Sequence, residues 1–343
     1  MLAFRSLRTL IVASTSLVLC IESQAESCSR LMYTTSEGNV VIGRSMDWME
    51  DIKTDLWAFP AGMSRISTAG TNAVKWVSKY GSVIASGYNL GSTDGINTQG
   101  LNANLLYLAN ADYGKPVPGQ NSLDVLNWAQ FVLDNYASVD EAVKEFGKNE
   151  FHMKAKLLPD GTYPGVHLSI SDPTGDNAIF EYIAGKLVVY HSKKYTVMTN
   201  EPGFDKQLVL NDYWQELKGC FLPGTAEPSD RFVRASYYLN QAPLTADEQQ
   251  SIAVVFSIIR NVSQPIMKGN SDRPNQAPTI WRSVADVKHR VYYFENTNRP
   301  NVFWVNLKKL DLNVDSPVKK LPLSNGEVYA GDVSSQFITA KPF

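Results

Sequence analysis

The sequence predicts an α+β fold in which helices pack on antiparallel sheets. Of the 343 residues, 44 % are hydrophobic, which is enough for a sizeable core. Short turns join many of the strand-like segments, as in a meander rather than in βαβ crossovers. The predicted elements run strands, helices, strands, helix, strands, without the regular alternation of a doubly wound sheet. Since no linker, repeat or low-complexity tract divides the chain, we expect one domain over residues 28–343.

Apolar or alternating runs bounded by turn residues predict the strands. The cluster Ser36–Asn39 predicts a hairpin between the first two, and the segment 172–176 predicts a turn between two later ones. The predicted strands are 31–35, 40–44, 56–59, 82–88, 101–108, 166–171, 178–183, 187–191, 195–199, 291–295 and 302–307.

Three helices are predicted from apolar periodicity and capping residues. One begins near Ser122. A second follows the capping box of Ser138 and Glu141 and ends at Gly147. The third follows a capping box formed by Thr245 and Glu248.

Residues 1–27 have the pattern of a secretory signal peptide. Arg5 and Arg8 precede the apolar run 9–20, and small residues follow at positions compatible with cleavage. The run is shorter than the roughly 20 residues that a membrane span needs. We therefore expect an exported protein, periplasmic in a Gram-negative bacterium or secreted, with no membrane span after processing.

Two cleavage sites fit this signal, one after Ala25 and one after Ser27. The second leaves Cys28 as the first residue. Whether Glu26 and Ser27 leave with the signal or in a later self-processing cut stays open at this point.

Composition excludes several classes of function. The 32 Lys and Arg residues face 34 Asp and Glu, so the basic excess of a nucleic-acid-binding protein is missing. Three cysteines are too few for a disulfide scaffold. The four histidines lie far apart, and no metal-ligand motif is present. We expect no metal and no cofactor.

Cys28 at the start of a mature chain would hold both a thiol and a free α-amine. The amine has an unperturbed pKa of about 7.7–8.0, which suits a base that takes the thiol proton. A histidine partner is then unnecessary. The alternative at this point is a disulfide between Cys28 and Cys220, the two cysteines left after processing.

A second candidate cluster is Gly43–Trp48, one hairpin away from Cys28. Asp47 is placed to hydrogen-bond the α-ammonium, and the charge of Arg44 would lower the pKa of the thiol. The alternative is an Arg44–Asp47 ion pair at the end of a strand, with no catalytic role.

Together these motifs resemble the choloylglycine hydrolase family, which includes the bile salt hydrolases and penicillin V acylases within the N-terminal-nucleophile hydrolases. Cys28 after a signal, Gly43–Trp48, Asp94–Leu101, Thr199–Pro202 and Asp230–Arg234 occur in the order of that family. The resemblance spans nearly the whole mature chain. It implies a four-layer αββα fold with two antiparallel sheets between helix layers.

The resemblance also implies a role for each matching residue. Cys28 matches the nucleophile, and Arg44 and Asp47 match the pair beside it. Asn200 matches an oxyanion-hole asparagine, and Arg231 an arginine that supports the nucleophile. Without these roles, Asn200 would be a turn residue and Arg231 a residue on a surface helix.

One position departs from the bile salt hydrolase pattern, and one segment differs in length. Tyr107 stands where those enzymes usually carry an oxyanion-hole asparagine, and penicillin V acylases often have tyrosine there. It either donates to the oxyanion or lines the wall. The stretch between Asn200 and Arg231 is shorter than in Gram-positive relatives, which resembles the Gram-negative branch. The family suggests a homo-oligomer, either a tetramer or a dimer.

The predicted substrate is a small amide with an apolar or aromatic acyl group, such as penicillin V or an acyl homoserine lactone. Conjugated bile salts are the alternative. The aromatic residues early in the chain are candidates for the acyl pocket, with core packing as the alternative for each. These candidates are Trp48, Trp57, Met63, Trp76 and Tyr80.

Two other classes of protein are weighed against the amidase. One is a periplasmic binding protein with a Cys28–Cys220 disulfide. The other is a papain-type hydrolase, which lacks its signature residues around Cys28.

Overall fold

Two large β-sheets lie face to face between two layers of helices in the computed structural model. It describes residues 27–148, 151–217, 221–267, 277–299 and 301–343. The predicted signal up to Glu26 lies outside these residues, and so does Cys220. The arrangement is the αββα sandwich, so the predicted fold class is confirmed.

In chain order the strands are β1 (Cys28–Thr34), β2 (Val40–Asp47), β3 (Leu56–Phe59), β4 (Ser64–Ile66), β5 (Lys75–Val77), β6 (Ser82–Gly87), β7 (Gly91–Asn97), β8 (Asn102–Tyr107), β9 (Asn121–Asp124), β10 (Phe151–Lys154), β11 (Val166–Ser171), β12 (Asn177–Ile183), β13 (Lys186–His191), β14 (Val197–Met198), β15 (Thr279–Asp286), β16 (Val291–Asn296), β17 (Val302–Asn306), β18 (Lys319–Leu321), β19 (Gly331–Asp332) and β20 (Ile338–Thr339). The helices are α1 (Trp128–Asn135), α2 (Val139–Phe146), α3 (Phe204–Glu216), α4 (Pro228–Gln241) and α5 (Glu248–Asn261).

The first sheet has seven strands in the order β14-β1-β2-β15-β16-β17-β19. The predicted hairpin joins β1 to β2, and Gly38 takes the left-handed conformation that its turn requires (φ +79°). The register sets Cys28 opposite Met46. The first residue of β1 is therefore fixed on both sides, by β2 and by the segment that follows β14.

The second sheet has nine strands in the order β13-β12-β11-β8-β7-β6-β3-β18-β20. Its strand β8 faces β1 and β2 across the sandwich. Helices α1 and α2 cover the outer face of this sheet, while α4 and α5 cover the outer face of the first sheet and α3 packs on α4. The Cys28 end of β1 thus lies in the first sheet, with β8 of the second sheet on one side and α4 on the other.

The predicted start of the first helix, near Ser122, is wrong by six residues. Residues Asn121–Asp124 form β9, which pairs in parallel with β10, and the helix begins only at Trp128. Asp124 accepts the Leu126 amide at 3.0 Å and so starts a short 3-10 turn between strand and helix. This cap at Asp124 ends the strand, and the apolar periodicity of the sequence does not reveal it.

One predicted capping box is confirmed and the other is wrong. Ser138 caps α2 by accepting the Glu141 amide at 3.2 Å. In α5 the cap is Asp247, which accepts the Gln250 amide at 2.7 Å, while Thr245 accepts the Asp247 amide. Glu248 is therefore the first helical residue rather than the far side of a capping box.

The sequence analysis places no element at β15, α3 or α4. Nevertheless, β15 lies at the centre of the seven-stranded sheet, and α4 carries Arg231. Within the described part of the chain, no helix is long and apolar enough to cross a membrane.

Candidate active site

Cys28 lies at the edge of the sandwich, and only 1 % of its surface is exposed. It is the first residue of β1, whereas the sequence placed it just before the strand. The residue is a free cysteine. Its Sγ atom lies 3.9 Å from the Sδ atom of Met46 and 3.9 Å from Nη2 of Arg44. The thiol therefore points between the two sheets, next to a guanidinium.

Asn200 and Arg231 hold the backbone of Cys28 from the helix side. The Cys28 amide donates to Oδ1 of Asn200 at 2.7 Å. Arg231 donates to the Cys28 carbonyl at 2.6 Å, to the Ser29 hydroxyl at 2.6 Å and to Oδ1 of Asn200 at 2.8 Å. Because a guanidinium can only donate, the Asn200 atom that faces Arg231 is the oxygen. The Nδ2 group therefore points the other way and donates to the Tyr107 carbonyl at 2.8 Å.

Asp47 is fully buried beside this group. Its Oδ1 atom accepts the Thr279 hydroxyl at 2.6 Å, while Oδ2 has no hydrogen-bond partner among the described residues. Burial raises the pKa of this carboxyl to about 6, against the opposing effects of Arg231 and Thr279. A buried carboxylate oxygen without a donor is uncommon in folded proteins, so it marks a place where a further donor would fit.

Arg44 does not form the ion pair with Asp47 that was the alternative to a catalytic role. Side chains alternate along β2, so these two residues point to opposite faces of the strand. Arg44 points between the sheets, where it donates to the Leu105 carbonyl at 2.8 Å and forms an ion pair of 3.7 Å with Asp94. Its guanidinium also lies 4.5 Å from the centre of the Trp281 ring.

The thiol of Cys28 is held in its neutral form by its surroundings. Burial raises its pKa, and this effect outweighs the lowering by Arg44. The nearby Asp47 raises the pKa further. Arg44 thus lowers the pKa of the thiol, as expected from the sequence. A base is still needed to make the thiolate.

Asp94 is a residue of this site that the sequence analysis named only within a motif. It is fully buried on β7, where it accepts the Tyr292 hydroxyl at 2.6 Å and Nδ2 of Asn104 at 2.8 Å. These partners lie on strands of both sheets, so Asp94 links the sheets beneath Arg44. Asp94 and these partners come together only in the folded protein, where β7 pairs with β8 and approaches β16 of the other sheet.

His167 and Glu181 form a second buried pair that the sequence analysis did not select. Nδ1 of His167 lies 2.9 Å from Oε1 of Glu181, and Nε2 lies 2.9 Å from the Thr199 carbonyl. Glu181 also accepts the Phe204 amide at the start of α3. The pair thereby fixes the segment that carries Asn200.

An apolar cleft opens beside Cys28. Trp48 and Tyr107, both predicted at the site, form part of its wall and meet edge to face with ring centres 6.3 Å apart. The other lining residues include Tyr88, Leu105, Leu158 and Val166.

The remaining predicted pocket residues lie elsewhere. Trp57 stacks on Phe59 with ring centres 5.9 Å apart. Met63 and Trp76 line a separate cavity, and the Tyr80 amide contacts the Asp134 carbonyl at 3.3 Å. None of the four lines the Cys28 cleft.

One group of side chains has the composition of a metal site. Glu248, Asp286 and His289 bring their ligand atoms within 4.8 Å of one another. The group lies at the N-terminus of α5, where the positive end of the helix dipole disfavours a cation. Nδ1 of His289 is also already 2.7 Å from Asp286.

Comparison with known proteins assigns this sandwich to the hydrolases that act on linear amides. The profile of the linear amide C–N hydrolases, choloylglycine hydrolase family, matches residues 28–320. The chain belongs to the choloylglycine hydrolase family.

Relatives support this placement along nearly the whole chain. The chain is 42 % identical to a penicillin V acylase of Pectobacterium atrosepticum, over 97 % of this chain and 96 % of the relative. It is 26 % identical to a bile salt hydrolase/transferase of Clostridium perfringens, over 83 % of this chain and 94 % of that protein. The structure of penicillin V acylase from Agrobacterium tumefaciens superposes with a TM-score of 0.86 at 47 % identity, covering 92 % of this chain and 98 % of that one.

Proposed function

We propose that this enzyme is a penicillin V acylase-type amidase that uses Cys28 as an N-terminal nucleophile after residues 1–27 are removed. The observation that carries the proposal is the arrangement of acceptors around the Cys28 nitrogen. That nitrogen already donates to Oδ1 of Asn200 at 2.7 Å. A second acceptor is Oδ2 of Asp47, which has no hydrogen-bond partner among the described residues. The charge of this carboxylate raises the pKa of the Cys28 thiol.

Cleavage of the Ser27–Cys28 bond would turn this amide into an amine with additional hydrogens. Asn200 would keep one of them, and Asp47 would offer the acceptor for another. Because Ser27 is fully buried in the uncleaved chain, its removal would also open space beside the thiol. The self-processing cut and the export of the protein to the periplasm are part of this proposal.

The proposed reaction follows from the same geometry. The α-amine takes the thiol proton, and the thiolate attacks the carbonyl carbon of the amide. The amine then returns the proton to the leaving nitrogen as the C–N bond breaks, which leaves an acyl thioester on Cys28. Water hydrolyses the thioester, releases the acid and restores the thiol.

Asn200 would stabilise the oxyanion of this reaction. Its Nδ2 group carries two hydrogens, and the Tyr107 carbonyl accepts one of them at 2.8 Å. The other would be available to the developing negative charge, and one such donor contributes about 3–4 kcal/mol to catalysis. Tyr107 then serves as a wall residue, as its ring contact with Trp48 supports.

The apolar cleft supports an apolar or aromatic acyl group. Phenoxyacetyl amides such as penicillin V are the leading candidates because the two relatives of highest identity above carry that name. Acyl homoserine lactone acylase activity fits the same cleft. Conjugated bile salt hydrolysis is the second candidate, favoured by the relatives at 26 % identity. A homo-oligomer, either a tetramer or a dimer, is also part of this proposal.

Turnover of a substrate panel tests this function. We expect hydrolysis of penicillin V by the wild type and a loss of at least about 10³-fold in Cys28→Ala, because the nucleophile is gone. Cys220→Ser is the matched control and should keep full activity. Retained turnover in Cys28→Ala would contradict the mechanism. If the wild type hydrolysed only glycine- and taurine-conjugated bile acids, the second candidate would replace the first. A disulfide between the two cysteines, measured by thiol titration under denaturing conditions, would favour the binding-protein alternative.

A further inference from the structure

One carboxylate joins the two sides of the Cys28 cleft at its mouth. Oδ2 of Asp160 accepts the indole N–H of Trp48 at 3.0 Å and lies 3.0 Å from the Tyr88 hydroxyl. Tyr88 is also within 2.7 Å of Glu50 and 3.2 Å of the Trp48 indole nitrogen. Trp48 and Tyr88 both line the cleft.

Asp160 belongs to a loop that supplies the facing wall. This loop contributes Leu158 and Pro164 to the cleft. Its tip is tied to itself, since the Leu158 amide donates to the Thr162 carbonyl at 2.9 Å. The Oδ1 atom of Asp160 accepts both the amide and the hydroxyl of Thr162, at 2.8 and 2.7 Å. One oxygen of Asp160 therefore holds its own loop, and the other holds the opposite wall.

The opposite wall is anchored to the sheets. Trp48 directly follows β2, and its ring packs edge to face against Tyr107 of β8. Tyr88 directly follows β6, and its amide donates to the Ile52 carbonyl at 2.5 Å. Asp160 therefore links the loop to this anchored wall across the mouth of the cleft.

We propose that Asp160 clasps the loop to Trp48 and Tyr88 and thereby sets the largest acyl group that the Cys28 cleft admits. The proposal rests on the proposed amidase function. Hydrogen bonds to an ionised carboxylate are stronger than those between neutral groups, which suits a clasp made of a single side chain. Loss of the carboxylate would leave the loop without this bond to the fixed wall.

Alkylation of Cys28 measures the width of the cleft without relying on turnover. In a Cys220→Ser background, the rates with small iodoacetamide and bulky pyrenyl maleimide are compared. In Asp160→Ala we expect the bulky-to-small rate ratio to rise about tenfold. Asp160→Asn keeps an acceptor for Trp48 and should give a smaller rise. Asp51→Ala is the matched control, since its exposed side chain pairs with Lys53 and does not line the cleft, and its ratio should not change.

A ratio that stays at the wild-type value in folded Asp160→Ala would overturn the proposal. If that variant does not fold, Tyr88→Phe removes the hydroxyl that contacts Asp160 and should raise the ratio in the same direction; an unchanged ratio there would equally overturn it.

Turnover then tests the consequence for substrates. In Asp160→Ala, kcat/KM for a long-chain or steroid acyl amide should rise at least fivefold relative to penicillin V. An unchanged preference, in a variant whose alkylation ratio has risen, would contradict the role in selection. If the wild type hydrolysed no amide at all, the proposed function would fail, while the alkylation ratio would still decide whether Asp160 closes the cleft.

Discussion

Two regions of the molecule are built from opposite kinds of side chain. One is the polar site around the start of β1, which comprises Arg44, Asp47, Asp94, Asn200 and Arg231, all fully buried. The other is the aromatic layer between the nine-stranded sheet and helices α1 and α2, which comprises Trp128, Phe131, Phe146, Phe151 and Phe180. The aromatic layer stabilises the fold by burial and packing. The polar site costs desolvation energy, which well-placed partners offset, and it carries the chemistry.

This difference teaches where each kind of substitution should act. A truncation in the aromatic layer should lower stability and leave catalysis alone. A substitution in the polar site should damage catalysis, and it should also destabilise the fold where it leaves a buried charge unpaired.

Replacing Arg231 by Met should have the largest effect, because it would damage both properties. The variant loses hydrogen bonds to the Cys28 carbonyl and to Asn200, and it removes the cation that most favours the charged form of Asp47. We expect a loss of about 3–5 kcal/mol in unfolding free energy, together with a fall in kcat of about 10³-fold. Urea denaturation and steady-state kinetics measure the two. Arg234→Met on the same helix is the control, and a similar loss there would mean that α4 itself, not the polar site, is responsible.

Replacing Phe146 by Ala tests the other side of the comparison. Phe146 is 2 % exposed and contacts the rings of Trp128 and Phe180. We expect the unfolding free energy to fall by about 3–5 kcal/mol because a cavity remains. The kcat of the folded fraction should stay within about twofold of the wild type. A tenfold fall in kcat at a temperature where the variant is folded would show that the aromatic layer and the polar site are coupled.

Replacing Asp47 by Asn tests the buried carboxyl through pH. Its pKa is raised from 3.8 to about 6, so the folded state binds this proton more tightly than the unfolded chain. Its contribution to stability is therefore fully present below pH 3.8 and is lost as the pH rises through about 6. Between pH 4 and 7 the uncleaved wild type should lose about 2 kcal/mol relative to Asp47→Asn. Chemical denaturation across this range measures the difference, and parallel curves would show that Asp47 is not the group that titrates.

Replacing Glu181 by Gln should give the smallest effect. The amide oxygen can still accept the Phe204 amide, but the charge that faces His167 is lost. We expect kcat to fall about tenfold with KM unchanged, because the Thr199–Asn200 segment is held less firmly. His191→Gln is the control, since its contact with Asp176 is at the surface. A change in KM without a change in kcat would place the role of Glu181 in substrate binding instead.

The sequence predicts the parts of the fold that show a local pattern. The strands at 56–59 and 166–171 have the bounds that their apolar runs predict. The central strand β15 is missed because Arg282 and Ser283 interrupt its apolar pattern, although the sheet buries Ser283. Helix α3 is missed because apolar residues such as Val209 and Tyr213 lie on its exposed face and blur the periodicity, and neither α3 nor α4 begins with a side-chain cap.

The candidate site divides in the same way. Cys28, Arg44 and Asp47 stand within one hairpin, so the sequence brings them together directly. Asn200 and Arg231 were placed by resemblance, and the structure adds their bonds to Cys28. Contacts such as that of Thr279 with Asp47 join residues 232 positions apart, and no local pattern could indicate them.

Intact-mass measurement of the exported, active protein tests the central claim most directly. The account predicts a chain that begins at Cys28, with residues 1–27 absent and the α-amine free. An active protein whose chain begins at Glu26, or at any residue other than Cys28, would contradict it, because the thiol and the base would then not share one residue.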